Sequence, residues 1–360
     1  MPANLSPDYK KAELAYRAAR DDGERLACLR EMLRTIPKHK GTEHLQADLK
    51  SRIKQLGDEL SGPKKGGARG GPVHVIRPEG AAQIALLGPP NSGKSALHAA
   101  LTHSRASIGP YPYSTHEPQP GMLPYLDIHF QLVDLPPISP EYFEPWMVNA
   151  LQPADAAWLV IDIADPDCTE QLAAVISLLE DKRITLTEVW PARLSSTGSG
   201  NIVTGTPAAD ETLENEALAE ARALDPFRIY LPTLLVVNKI DLNDDSADIA
   251  VLKDLTGVRF PALAVSAQSG AGLDALGPFV FEHLGIVRVY TKTPGKPAAM
   301  EKPFTLRAGA TVLDVARLVH KDIADSLRYA RAWGSAVFDG QQVGPEHPVQ
   351  DGDVVELHMR

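Results

Sequence analysis

Apolar residues recur at helical spacing through the first sixty positions. Leu26, Leu29, Met32, Leu33 and Ile36 form one stripe, and Leu45, Leu49, Ile53, Leu56 and Leu60 form a second. Spacings of three and four residues put such side chains on one face of a helix. Residues 7–61 are therefore predicted helical, with a break at Pro37 and Gly41, and the two stripes are expected to bury against each other. Residues 62–71 then read GPKKGGARGG, a flexible basic linker by composition. From residue 81 to about 286, strand and helix patterns alternate as in a doubly wound α/β sheet. The runs AAWLVIDI (156–163) and TLLVV (233–237) read as buried parallel strands. Residues 192–212 are rich in Ser, Thr, Gly, Ala and Pro without a period, and lie in an irregular insert expected at about 177–230.

A new pattern begins at Val287. Residues 287–291 and 303–306 read as two strands, Thr311 as the cap of a helix running to about His320, and residues 336–338 and 354–358 as two more strands. Turns are expected at Asp339-Gly340 and Asp351-Gly352. The order β-β-α-β-β predicts a small β-grasp module. The expected organisation is a helical region 1–62, a basic glycine-rich linker 63–80, an α/β domain 81–286 and the β-grasp domain 287–360.

Composition narrows the setting. A chain of 360 residues holds two or three domains, and 44% hydrophobic residues suffice for their cores. No apolar run approaches the 18 residues of a membrane span, and the polar N-terminus does not read as a signal peptide. Cys28 and Cys168 are the only cysteines. That excludes a disulfide framework and a four-cysteine zinc site, and predicts a cytoplasmic protein without a membrane partner. The net charge of −10 is uneven. Residues 1–70 carry 15 Lys and Arg against 10 Asp and Glu, and the remainder 21 against 36. A basic arm on an acidic body points to nucleic acid or to a solvated helical surface, and the sequence leaves both open.

The chemistry is concentrated in short loops. Residues 88–95, GPPNSGKS, fit the phosphate-binding pattern G-x-x-x-x-G-K-[ST] through Gly88, Gly93, Lys94 and Ser95. An apolar strand precedes the loop and a helical run follows it. Glycines let successive N–H groups face inward as an anion nest, and the helix N-terminus adds partial positive charge. Lys94 is expected to reach the β- and γ-phosphates and Ser95 to ligate Mg²⁺. Asn238-Lys239-Ile240-Asp241 follows a buried strand and reads as a guanine loop. A carboxylate at Asp241 accepts from guanine N1 and N2, where adenine has no equivalent donors, so the wrong base leaves it unpaired. Ser266-Ala267 fits the short loop that backs guanine O6 with an N–H. Asp134, ending the run FQLV, fits a water-mediated Mg²⁺ carboxylate. Thr115 fits the threonine that completes the metal shell when the γ-phosphate is present. The expected nucleotide set is Gly88, Asn91, Ser92, Gly93, Lys94, Ser95, Ala96, Asn238, Lys239, Asp241, Ser266 and Ala267. The expected metal set is Ser95, Thr115 and Asp134. His98, His103, His116 and His129 lack ligand spacing for zinc.

These motifs resemble the Obg superfamily of GTPases, and most closely its developmentally regulated GTP-binding branch. YPYSTHEPQPG (111–121) is similar to that superfamily's aromatic-threonine switch I. The segment from Val287, with VRVYTKTPGK, LVHKDIADSLRYARAWG and DGDVVEL, resembles a TGS domain. The resemblance implies a P-loop GTPase fold with a C-terminal ubiquitin-like TGS domain. It also implies Mg²⁺-dependent GTP and GDP binding, slow GTP hydrolysis, and a ribosome or rRNA partner in translation or ribosome maturation, contacted through the basic arm and the TGS domain. In related loops an Asn at the position of Asn91 helps hold K⁺ beside the phosphates. Asn also tolerates turn geometry, and both readings stand.

The chain departs from the family at its third motif. The usual D-x-P-G is here Asp134-Leu135-Pro136-Pro137, and proline has no N–H to offer the γ-phosphate. Ile138 follows, where Ras-like enzymes place a water-orienting Gln. Two rival readings are a nucleotide-loaded scaffold that does not hydrolyse, which Pro137 favours, and an RNA-binding protein with a mainly structural G domain, which the basic arm favours.

Overall fold

The computed structural model describes residues 6–19, 22–37, 42–61, 76–103, 117–191, 225, 227–242, 247–295, 298–335 and 337–359. The chain divides into two compact units, residues 1–77 with 217–228, and the remainder.

The first unit holds α1 (Pro7–Ala18), α2 (Asp22–Thr35) and α3 (Glu43–Ser61). The Ser6 side chain accepts from the Tyr9 N–H and starts α1, with Pro7 as its first helical residue. The helical stretch breaks at Ala19 as well as near Pro37, because Ala19 takes an extended backbone. Tyr9, Leu29, Met32 and Leu49 are fully or almost fully buried between the helices. Phe227 joins this core, edge-on to Tyr16 and beneath the guanidinium of Arg52. Truncating a buried side chain such as Leu29 to Ala costs about 2–5 kcal/mol.

The second unit begins with β1 (Gln83–Leu87) and α4 (Lys94–Thr102). There follow β2 (Gln119–Tyr125), β3 (Ile128–Asp134), α5 (Pro145–Leu151), β4 (Ala156–Asp162), α6 (Cys168–Asp181) and β5 (Ile184–Thr187). Next come β6 (Ile229–Asn238), α7 (Ala247–Thr256), β7 (Ala262–Ala264) and α8 (Leu276–His283). The strands form one sheet in the order β2-β3-β1-β4-β6-β5, with β7 beside the C-terminal half of β6. All pair in parallel except β2 with β3, which form an antiparallel hairpin. The parallel strands are buried on both faces, which explains their near-continuous apolar runs. Trp158, Ile84, Leu86 and Phe130 are fully buried in the central core. The expected insert is corrected at both ends. Residues 177–187 complete α6 and form β5, and Ile229 and Tyr230 open β6. Residues 192–224 lie outside the described set, as do 62–75 of the expected linker. The linker's expected end at residue 80 is also late, because Gly80 already bridges Phe130.

The same unit continues with β8 (Ile286–Lys292), β9 (Ala298–Arg307), α9 (Val312–Val319), α10 (Lys321–Ser326), β10 (Leu327–Gly334), β11 (Val337–Val343) and β12 (Asp353–Met359). The sheet order β11-β10-β12-β8-β9, with β12 parallel to β8, is that of a β-grasp. The expected order β-β-α-β-β omits β10 and needs correction. Leu327, Ala330 and Ala332 all face the core, and a bulge between Leu327 and Tyr329 breaks the two-residue alternation that marks a strand. Asp339-Gly340 is not the expected hairpin turn. It lies within β11, where the register slips between Val337 and Gln341.

This domain is fastened to the β2–β3 hairpin. Arg288 donates to Asp127 at the hairpin turn (2.7 Å) and to both oxygens of Asp351, while the Tyr290 hydroxyl also bonds Asp127. Burial pushes the Asp127 carboxyl up, but its hydrogen bonds from Tyr290 and Arg288 outweigh that and hold it below its ordinary value. Arg307 makes a second tie, to Asp155 (2.7 Å).

Candidate functional site

The C-terminal ends of β1, β3, β4 and β6 place the predicted residues along one edge of the sheet, the usual position for a ligand in an open α/β fold. The 88–95 loop leaves β1 and enters α4. Its backbone demands glycine at both ends. Gly88 has φ 147°, and a Cβ there would strike the Val160 carbonyl. Gly93 has φ 87°, and a Cβ there would strike the Asn238 side-chain amide. Asn91 also takes a left-handed backbone, φ 61°, and its side chain is exposed.

Lys94 is buried, and its ammonium donates to the carbonyls of Gly88 (3.1 Å) and Pro89 (2.9 Å). Burial lowers its pKa to about 8, partly opposed by the charge of Asp134. Ser92 bonds back to the Pro89 carbonyl at 3.0 Å and stiffens the bend. Ser95, on the first turn of α4, donates to Asp134 Oδ2 at 2.5 Å. Asp134 Oδ1 is buried without a hydrogen-bond partner among the described residues. Burial raises the Asp134 pKa, against the hydrogen bond from Ser95 and the charges of Lys94 and His98. A carboxylate oxygen so placed, next to a serine hydroxyl, fits a divalent cation. Thr115, the third expected metal ligand, lies outside the described residues.

The segment after Asp134 packs inward. Leu135, Pro136, Pro137 and Ile138 are all buried, and the Ile138 N–H donates to the Gly88 carbonyl at 3.0 Å. From the sequence, the Ile138 N–H is the neighbouring donor that could turn in to replace the one Pro137 lacks. The structure shows it engaged by a carbonyl of the phosphate loop instead, a partner that residue type does not reveal.

The guanine-loop residues are bonded to one another and to the phosphate loop. Asn238 donates from Nδ2 to the Ser92 carbonyl (3.0 Å) and accepts at Oδ1 from the Ala267 N–H (3.1 Å). Ser266 donates to Asp241 Oδ1 at 2.5 Å and accepts from the Ser269 N–H. Lys239, with φ 65°, pairs with Asp162 at 2.6 Å. Asp162 was not among the expected residues. Its signal was available: a carboxylate ending an apolar strand at the sheet's ligand edge. A cleft of about 470 Å³ is lined by Gly93, Ala96, Ala99, Ala100, Asn238, Lys239, Asp241, Leu242, Ala267 and Gln268. The structure thus gathers the described members of the predicted set into one site.

Comparison with known proteins agrees with this construction. Residues 83–189 match the family described as 50S ribosome-binding GTPase, and residues 287–359 match the TGS domain. An uncharacterized GTP-binding protein of Methanocaldococcus jannaschii is 30% identical over 94% of this chain and 93% of its own length. A similar relative in Halobacterium salinarum, also an uncharacterized GTP-binding protein, is 27% identical over 94% and 99%. Developmentally-regulated G-protein 2 of Arabidopsis thaliana is 30% identical over 91% of this chain and 88% of its own. A P-loop GTPase domain joined to a C-terminal TGS domain, with near full-length relatives of this kind, makes the chain a member of the developmentally regulated GTP-binding protein family.

Proposed function

We propose that this GTP-binding protein is a slow, Mg²⁺-dependent GTPase that reads guanine strictly and the γ-phosphate weakly. The observation that carries the proposal is the bonded set Ser92–Asn238–Ala267 with Ser266–Asp241, which joins the phosphate loop to the base loop through the protein's own groups. Asp241 Oδ2 and the cleft face would take the base edge. The 88–96 amides and Lys94 would hold phosphates, Lys94 exchanging the Gly88 and Pro89 carbonyls for phosphate oxygens. Ser95, Asp134 and, by family pattern, Thr115 would hold Mg²⁺, which supplies charge neutralisation at the β- and γ-phosphates.

Slow hydrolysis is supported by Ile138. Its side chain is apolar and 1% exposed, so it orients no water. An unassisted Ras-like site turns over at about 10⁻⁴ s⁻¹. Asn91 stands exposed at the bend of the loop, where its amide oxygen would hold K⁺. The test is equilibrium binding of GTP, GDP and ATP, followed by multiple-turnover phosphate release with and without Mg²⁺. ATP binding equal to GTP binding overturns the base assignment.

The description of the matching GTPase family and the charge of the N-terminal region support a ribosomal or rRNA partner. Co-sedimentation with ribosomes, loaded with GDP or a non-hydrolysable GTP analogue, tests it. Pro137 and the committed Ile138 N–H favour one second reading, a nucleotide-loaded scaffold that does not hydrolyse. Absence of phosphate release even with ribosomes present would select it.

A further inference from the structure

Lys239 occupies an awkward position. Its backbone is left-handed, with φ 65°, a conformation costly to a residue with a Cβ. Its stem is four carbons long and freely rotating, so ordering it carries a further entropic cost. Such a residue holds one conformation only when its surroundings over-determine it. The residues on either side are held through their side chains, the Asn238 amide donating to the Ser92 carbonyl and the Asp241 carboxylate accepting from the Ser266 hydroxyl. The far end is fixed by Asp162, whose Oδ2 lies 2.6 Å from the Lys239 ammonium.

Asp162 is itself well held. It is the last residue of β4 and stands beside Asn238 in the parallel register. Its other oxygen, Oδ1, accepts the Ala164 N–H at 3.0 Å, an Asx turn that sets the plane of the carboxylate. The side chain of Asp162 is 14% exposed and that of Lys239 33%. The pair is therefore sheltered but not stranded, the setting in which a charge-assisted bond holds geometry. Anchored at both ends, the Lys239 stem lines the cleft beside Gly93, Asn238 and Asp241. A Cβ built on Gly93 would come within 3.9 Å of Lys239 Cε, so the stem also runs against the phosphate loop.

We propose that Asp162 is a positioning residue for guanine nucleotides: by holding the Lys239 ammonium, it stretches the lysine stem into a preformed apolar wall against the base and nucleoside. The inference rests on the cleft being the guanine-nucleotide site. A preorganised wall raises affinity by removing an ordering cost that binding would otherwise meet. It does not read the base edge, which is the task of Asp241, and it lies away from the γ-phosphate. Its loss should weaken GDP and GTP by the same factor and leave their ratio unchanged.

The experiment is a double-mutant cycle read by fluorescent GDP and GTP titration on the full chain. Asp162→Asn keeps the shape and the acceptor for Ala164 while removing the charge. It should weaken both nucleotides by about tenfold. Lys239→Met keeps the apolar stem and removes the partner. On that background Asp162→Asn should add less than about twofold, because the effect passes through Lys239. A purely structural role for Asp162 would give the same loss on both backgrounds, and that result overturns the inference. So does an unchanged affinity in Asp162→Asn. If the wild type binds neither GDP nor GTP, the functional reading falls and this inference with it. If the wild type binds and only the coupling is missing, the functional reading stands alone.

Discussion

The two ends of the nucleotide cleft are built differently. At the guanine end, Asn238, Lys239, Asp241 and Ser266 each bond another residue of the protein; the Asn238–Ser92 and Ser266–Asp241 bonds join the 88–95, 238–241 and 266–269 loops, and Lys239 reaches Asp162 at the end of β4. At the phosphate end, Asp134 keeps a buried oxygen without a partner among the described residues. Pro137 has no N–H, and the N–H of Ile138 is already given to Gly88. The difference separates two kinds of selectivity. A site whose recognition groups are already oriented discriminates without a reorganisation cost. A switch segment responds to a phosphate only as far as it binds one form better than another. On the proposed function, this chain is equipped to read the base and poorly equipped, on the Pro137 side, to read the third phosphate.

The contrast can be broken at its stronger end first. Replacing Asp241 by Asn removes the acceptor of two guanine N–H donors. Each such bond to a charged group is worth about 1.5–3 kcal/mol, so GTP affinity should fall by about 10²- to 10⁴-fold. Xanthosine triphosphate, whose O2 needs a donor, should bind better than GTP. Competition titration of the two nucleotides decides it, and an unaltered preference for guanine would mean that Asp241 does not face the base.

The weaker end offers the next test. Pro137→Gly restores a backbone N–H where relatives of the D-x-P-G pattern have one. The ratio of GTP-analogue to GDP affinity should rise about ten- to a hundredfold. An unchanged ratio would mean that another group already serves the γ-phosphate. The Ile138 N–H would be the first to check, by hydrogen exchange with and without the analogue.

The β2–β3 hairpin sharpens the comparison further, since Asp127 at its turn is bonded to Arg288 and Tyr290 of the TGS domain. Asp127→Ala should destabilise the protein by about 1–3 kcal/mol at pH 7, measured by urea unfolding. The sign of the pH dependence follows from the lowered pKa. Stability from this carboxylate is fully present above its unfolded value near 3.9 and is lost as pH falls through the folded value. The gap between wild type and variant should therefore close below about pH 4. A gap independent of pH would assign the loss to packing.

Smallest is the expected effect of the monovalent cation. GTP hydrolysis should run severalfold faster in KCl than in NaCl at matched ionic strength, through Asn91. Equal rates would leave that residue its turn geometry alone.

Much of this arrangement was legible in the sequence where local chemistry dictates it. The Gly88–Ser95 spacing, the NKID loop after an apolar strand and Asp134 at a strand end each announce a place in space. What escaped was non-local or backbone-borne. Strand β10 was hidden by the bulge after Leu327, which gives its buried residues a three-residue spacing that reads as helix. The slip in β11 made Asp339-Gly340 look like a hairpin. The Asp162–Lys239 pair spans 77 residues, and the Ile138 bond to Gly88 uses a main-chain group. Neither follows from residue type alone.

Phe227 has a consequence for the order in which the chain acquires its structure. It fills the core made by Tyr9, Tyr16, Leu29, Met32 and Leu49, yet it leaves the ribosome about 165 residues after the last of the three N-terminal helices. At 5–20 residues per second, that is a delay of roughly ten to thirty seconds. During that interval the helices lack the aromatic ring that lies against Tyr16 and Arg52. The first part of this protein to be synthesised is thus not the first to be finished. Its completion waits until the strands β1 to β5 have been made, and comes as the chain enters β6, the strand that ends at Asn238.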